Sequence, residues 1–264
     1  MAAQDVGGGL TEHAATNPTE AGGLHIDPMH QFEISPLAKI SLGHLNADFT
    51  NSSLWMVIAV IVASLIMLAP AARLVPGRLQ SVAEIAYEFV ANMMRSTVGE
   101  GGRPFFPFIF TLFIFILTTN MLGMVPYSFT VTSHLSVTFA LALTVFIVAT
   151  LVGFAKHGAG YLKLFVPSGV PAVLLPLLVV IEVISYFTRP ISLSVRLFAN
   201  MLAGHTMLKV FGAFVVGMGV LAGWLPLLVM VGITGLEFLV AFLQAYVFAV
   251  LTCIYLNDAI NMHH

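Results

Sequence analysis

The sequence predicts an all-α integral membrane protein, and two observations carry that reading. Of its 264 residues, 59% are hydrophobic and only 8% are charged, against the roughly 25% charged residues of an ordinary soluble domain. The apolar residues also gather into runs long enough to cross a hydrocarbon core of about 30 Å at about 1.5 Å per helical residue. This composition excludes a soluble fold, and a formal net charge of −2 argues against a nucleic-acid partner. No glycine-rich phosphate loop and no close Cys/His cluster is present, so no cofactor or metal is expected. The single Cys253 sits in an apolar run and is read as a small packing residue.

Residues 1–53 form a polar arm that carries Asp5, Glu12, Glu20, Asp27, Glu33 and Asp48 but only Lys39 as a Lys or Arg. The arm lacks the basic and apolar regions of a cleavable signal peptide. Residues 54–264 are read as one membrane domain. Its first span covers 54–72. Val82, Ile85, Ala86, Phe89, Val90, Met93 and Met94 then recur at helical spacing between Glu84, Glu88 and Arg95, which predicts an amphipathic surface helix over 80–97.

Spans over 105–125 and 135–155 follow, joined as a hairpin by a loop from Pro126 to His134 that contains no Lys, Arg, Asp or Glu. Arg73, Arg78, Arg95 and Arg103, then Lys156 and Lys163, fall on one side of this arrangement. The positive-inside rule therefore puts the N-terminus outside and the C-terminus inside. From 171 to 216 no polar break occurs over a length of roughly 68 Å, more than twice the apolar thickness, so that helix must tilt or kink, with Pro190 as the natural kink point. Gly217, Gly219, Gly223 and Pro226 mark a turn, and 227–256 forms a second long helix of about 45 Å. Together these two make an oblique hairpin.

The hairpin contains Glu182, Arg189, Arg196, His205, Lys209 and Glu237, and ionisable residues at bilayer depth are functional candidates by default. Glu182, Arg189 and Arg196 are spaced by seven, so each drifts only about 20° from the last and all share one face. An antiparallel fold about position 221 brings His205 to Glu237, and one about 220 brings Arg196 to Gln244. Two separate pairs thus define one axis. A permanent cation at this depth costs about 2.5–3.5 kcal/mol on insertion scales, so Arg196 needs an anion, and no unpaired carboxylate lies near it in this chain. Its partner is expected on another subunit. His205 and Glu237 suit a proton path, since both exchange protons near neutrality when tuned by burial.

Each of these residues also has a purely structural reading. Arg196 could cap carbonyls, His205 and Glu237 could be a packed buried pair, and Arg189 and Lys209 could anchor at the membrane boundary. Asn200 and Gln244 could simply hydrogen-bond between helices, Glu182 could be solvated near the inner boundary, and Asn120 is read as a helix-contact amide. His13, His25, His30, His263 and His264 lie in the chain ends with nothing to support metal binding. No internal duplication points to a repeat-built transporter.

The stretch Arg189-Pro190-Ile191-Ser192-Leu193-Ser194-Val195-Arg196-Leu197-Phe198-Ala199-Asn200-Met201, followed by Ala203-Gly204-His205, closely resembles the signature of subunit a of F-type ATP synthases. Leu243 to Phe248 and Leu251 to Leu256 resemble that family's last helix, and Thr119 to Tyr127 its earlier hairpin. The likeness runs from Pro28 onward. It implies a non-catalytic stator subunit beside a ring of c subunits, with b-type peripheral stalk subunits and the rest of the synthase as partners. Arg196 matches the family's essential arginine, which faces the ring carboxylate. His205 and Glu237 match an outer half-channel, with Glu182 and Ser185 on the inner one. His precedes Glu here, as in mitochondrial and alphaproteobacterial members, whereas many bacterial members have the two interchanged. The membrane implied is a bacterial inner membrane, with the mitochondrial inner membrane as the alternative. Proton and sodium both remain open as the ion, because the ring's own site selects it. The rival reading is a self-contained proton-coupled transporter that needs no ring.

Overall fold

The computed structural model describes residues 36–38, 41–42, 45–46, 49–68, 77–125, 128–166 and 174–261. Most of the polar arm, the loop carrying Arg73, Pro126 and Tyr127, the start of the long apolar run at Pro171, and His263 and His264 lie outside them. Apart from four very short strands, the described residues form helices and 3-10 turns. The strands nest as two antiparallel pairs. β1 (Pro36–Ala38) pairs with β4 (Phe49–Thr50), and β2 (Ser41–Leu42) pairs with β3 (Leu45–Asn46). Strands of two or three residues leave no alternating pattern to read, which is why the sequence shows only polar composition there.

α1 spans Asn51–Leu68. It starts three residues ahead of the predicted span because the Thr50 hydroxyl accepts a hydrogen bond from the Ser53 backbone N–H at 3.4 Å, an N-cap contact that satisfies a first-turn donor. It is described as far as Leu68. α2 (Arg78–Thr97) is the predicted amphipathic helix, but its apolar face is divided. Val90, Met93 and Met94 are buried, whereas Val82 and Ile85 stay exposed. The helix is thus tied into the bundle at its C-terminal half only.

A 3-10 segment, Gly99–Phe105, leads into α3 (Phe106–Gly123), and α4 runs over Leu135–His157. The hairpin between them turns inward: Phe129, Thr130, Val131, Thr132 and Ser133 are all buried. The Ser128 hydroxyl lies 2.7 Å from both the Leu122 and Val125 carbonyls and can donate its one proton to either, the first being an acceptor of the last turn of α3.

α5 (Leu175–Gly217) is one helix of 43 residues that continues through Pro190, and α7 (Trp224–Ile260) has 37 residues. The short α6 (Gly219–Ala222) lies between them, entered through Gly219 at φ +64°. At about 1.5 Å per residue the two helices extend roughly 64 and 56 Å, so neither can stand upright in about 30 Å of hydrocarbon. α7 exceeds its predicted bounds at both ends, since Pro226 falls in the first turn, where a missing N–H costs nothing.

Among the described residues, five helices are long and apolar enough to cross a membrane, and the chain is a multi-pass membrane protein. Its core lies where α3, α4, α5 and α7 meet. Along α7 the buried positions Glu237, Ala241, Ala245, Ala249 and Cys253 recur every four residues. Small residues on one ridge let neighbouring backbones approach closely, the main source of helix association where lipid removes the hydrophobic drive. α4 repeats the device with Ala142 and Ala149, while Gly153 makes room for the Tyr161 ring. Large apolar side chains such as Leu65, Ile147 and Leu228 point outward, as expected where the solvent is hydrocarbon.

Candidate functional site

The predicted antiparallel register brings His205 and Glu237 together. His205 Nδ1 lies 4.0 Å from Glu237 Oε1, and both side chains are buried. A third residue, Thr130 of the α3–α4 loop, completes the group, with its hydroxyl 3.2 Å from His205 Nε2. Asn120 on α3 extends the polar seam: its amide donates to the Ala241 carbonyl at 3.2 Å and its carbonyl accepts from the Thr132 hydroxyl at 2.9 Å. Asn120 therefore makes the helix contact the sequence suggested, and it makes it one turn from Glu237.

Among the described residues, the buried side-chain polar atoms without a hydrogen-bond partner are both oxygens of Glu237 and Nε2 of His134. Buried polar groups in native proteins find a partner in protein or ordered water. A buried carboxyl group with neither oxygen hydrogen-bonded, 4.0 Å from an imidazole, marks a place for ordered water.

Gly204 makes this geometry possible. A Cβ built there would lie 2.9 Å from both Cγ and Cδ of Glu237 and collide with its Oε1. The obstacle is the far end of a flexible side chain, so Gly204→Ala should leave the fold intact while pushing the carboxylate away from His205. The expected result is a protein that folds normally but in which the His205–Glu237 contact is lost, read as a changed ionisation of the two groups; an unchanged pair would show that the close approach at position 204 does not set the contact.

Arg196 is placed differently. It is exposed near the middle of α5, and among the described residues it has no hydrogen-bond or ion-pair partner in this chain. Ser185, Ser192, Ala199 and Ala203 are exposed as well, and at about 100° per residue they fall on the same face as Arg196. The guanidinium thus stands in a strip of small side chains rather than among bulky lipid-facing ones. Glu182 and Asn200 are half-buried nearby on this helix, and Gln244 is half-buried on α7. None of these three has a side-chain hydrogen bond among the described residues, so Gln244 and Arg196 are not joined by one.

Arg189, which shares the Arg196 face by heptad spacing, is turned to another use. Its Nη1 donates to Asp258 Oδ2 at 3.1 Å, and its guanidinium carbon lies 5.8 Å and 5.4 Å from the ring centres of Tyr186 and Tyr255. The Tyr186 hydroxyl in turn meets Thr150 at 2.6 Å and Tyr161 at 3.2 Å. This cluster ties α4, α5 and the end of α7 together. Arg189 is thus engaged within this chain, in a tie between α5 and α7.

Thr130, Gly204 and Asp258 were given no role from the sequence. Thr130 was signalled by a loop rich in hydroxyls yet free of charge, a composition suited to burial with internal hydrogen bonds. Asp258 was reachable through the same fold axis, which puts position 258 opposite about 184, within a side chain's reach of Arg189. Gly204 had no signal, since its role depends on how closely α5 and α7 pack.

Spans, buried acid–imidazole pair and exposed mid-helix arginine define a multi-pass membrane protein with ionisable groups set at bilayer depth. The chain belongs to the ATP synthase A chain family, whose model matches residues 52–257. Similar proteins include the ATP synthase subunit a of Pelagibacter ubique, 59% identical over 241 residues, covering 90% of this chain and 99% of that protein. That of Parvibaculum lavamentivorans is 58% identical over 252 residues, 92% of this chain and 96% of its own length. The corresponding protein of a Chelativorans species is 60% identical over 246 residues, 90% and 99% of the two chains.

Proposed function

We propose that this chain is the proton-translocating stator subunit of a rotary F-type ATP synthase, working against a ring of c subunits that each carry a membrane carboxylate. The observation that carries the reading is Arg196: a permanent cation exposed in the middle of an apolar helix, unpaired within the described chain and bordered by small residues that allow another helix to come close. A proton enters from outside past His205 and Glu237 and neutralises a ring carboxylate. That carboxylate then travels through lipid, and on its return Arg196 favours its ionised form, so the proton leaves toward Glu182 and Ser185. Asn200 and Gln244 flank the arginine as amides able to orient it. The driving force is about 2.3 kcal/mol per proton for each 100 mV of potential, so several protons are needed for each ATP formed in the soluble head. The chain itself makes and breaks no covalent bonds.

Its other partners are the b-type peripheral stalk subunits and the bilayer. Arg78, Arg95 and Arg103 favour an orientation with the N-terminus outside and the C-terminus inside, and the bacterial relatives favour an inner membrane. A crosslink tests the ring contact directly. In the assembled complex, Val195→Cys should form a disulfide with a cysteine placed one turn from the ring carboxylate, whereas a cysteine at exposed Leu65 on α1 should not. No crosslink from position 195 would sink the assignment.

A further inference from the structure

We propose that His134, at the mouth of α4, is the first proton-accepting side chain of the outer pathway and passes protons through bound water to the Thr130–His205–Glu237 group. The inference rests on the proton-path reading above and adds a residue to it. Three observations carry it. His134 is half-buried, so it reaches both the loop surface and the interior, whereas His205 and Glu237 are buried. Its Nε2 is buried with no protein partner, a condition shared among the described residues only by the two Glu237 oxygens, and such buried polar atoms call for water. Its ring is held in place, stacked on Phe129 with centroids 4.9 Å apart and an interplanar angle of 13°.

Phe129 leads directly into Thr130, whose hydroxyl meets His205 and whose carbonyl accepts from the Ser133 hydroxyl at 2.6 Å. One short loop therefore presents both the entry imidazole and the hydroxyl in contact with the inner one. On α5 and α7 the charged or titratable groups at this end are His205, Lys209 and Glu237, whereas Glu182, Tyr186, Arg189 and Arg196 lie earlier on α5 and Tyr246, Cys253, Tyr255 and Asp258 later on α7. The described parts of α1 and α3 have none, and Lys156 and His157 lie at the far end of α4. Burial lowers the His134 proton affinity below that of a free imidazole, so the resting ring is neutral with one nitrogen lone pair available. One proton arrives from outer water on that nitrogen and one leaves the transient imidazolium to inner water. The two neutral tautomers interconvert through the same imidazolium, which resets the ring.

The test uses the whole synthase in vesicles. His134→Phe keeps the stack on Phe129 and removes both nitrogens. Expected is a fall in proton-driven ATP synthesis of about tenfold at alkaline outer pH, narrowing as outer pH falls and free hydronium becomes plentiful, with partial rescue by imidazole added outside. A rate unchanged at every pH overturns the inference. So does a loss that is equal at all pH values and not rescued, since that identifies a packing role. Glu237→Gln separates this from the underlying reading: normal flow in that variant sinks the proton path itself, while blocked flow there with normal flow in His134→Phe sinks only the role of His134.

Discussion

Arg196→Ala should abolish coupled ATP synthesis while leaving the complex assembled. The guanidinium is exposed and makes no hydrogen bond or ion pair among the described residues of its own chain, so its removal unpairs nothing in the bundle and leaves no hole in the core. The loss falls on the partner. Two unit charges about 4 Å apart at an effective dielectric of about 20 attract by roughly 4 kcal/mol, which at about 1.36 kcal/mol per decade is close to a thousandfold in the ionisation equilibrium of the facing carboxylate. Without that term the carboxylate keeps its proton, and nothing separates the entering path from the leaving one. Measured in vesicles, synthesis should drop by at least a hundredfold, with the subunit still present at normal amounts. Coupled synthesis near the wild-type rate would end the case for Arg196 as the gate.

The second large effect concerns the buried pair. Changing His205 alone to Glu sets two carboxylates side by side in a buried site, where one is forced to stay protonated. Changing Glu237 alone to His leaves two imidazoles and no carboxylate. Each single variant should lose at least about tenfold in proton flow. Making both changes restores one acid and one imidazole to the same contact, and two local features favour tolerance. The Thr130 hydroxyl, now 3.2 Å from His205 Nε2, can donate to a carboxylate at that position. Gly204 leaves room beside position 237, because it has no side chain to strike the new ring. The double variant should therefore exceed both singles, a non-additivity expected only of residues in direct contact. A double variant as poor as the worse single would argue that the two act separately.

Much of the fold was legible because it depends on local quantities. Run length fixed the number of spans, helical periodicity identified α2, and the glycines and Pro226 located the turn between α5 and α7. The contact of His205 with Glu237 was also legible, since an antiparallel hairpin has one free parameter and two polar pairs agreed on it. The helix starts were less so. Asn51 rather than Leu54 begins α1 because Thr50 caps it, and α7 runs past its apolar stretch through Asn257 and Asp258 to Ile260, with Asp258 paired to Arg189.

By itself, the sequence determined an all-helical membrane protein with a long oblique hairpin, a cation too deep to be casual and an acid–imidazole pair in register. Only the tertiary structure decided which charges meet. Arg189 and Arg196 are equivalent by heptad spacing, yet Arg189 is paired with Asp258 and flanked by Tyr186 and Tyr255 while Arg196 is left exposed. Likewise, Thr130 reaches His205 across 75 positions of sequence, and Glu237 fits against α5 only because residue 204 there is a glycine. Periodicity says which residues share a face; what that face meets depends on helix rotation and separation, and those are set by side-chain packing between segments far apart in the chain.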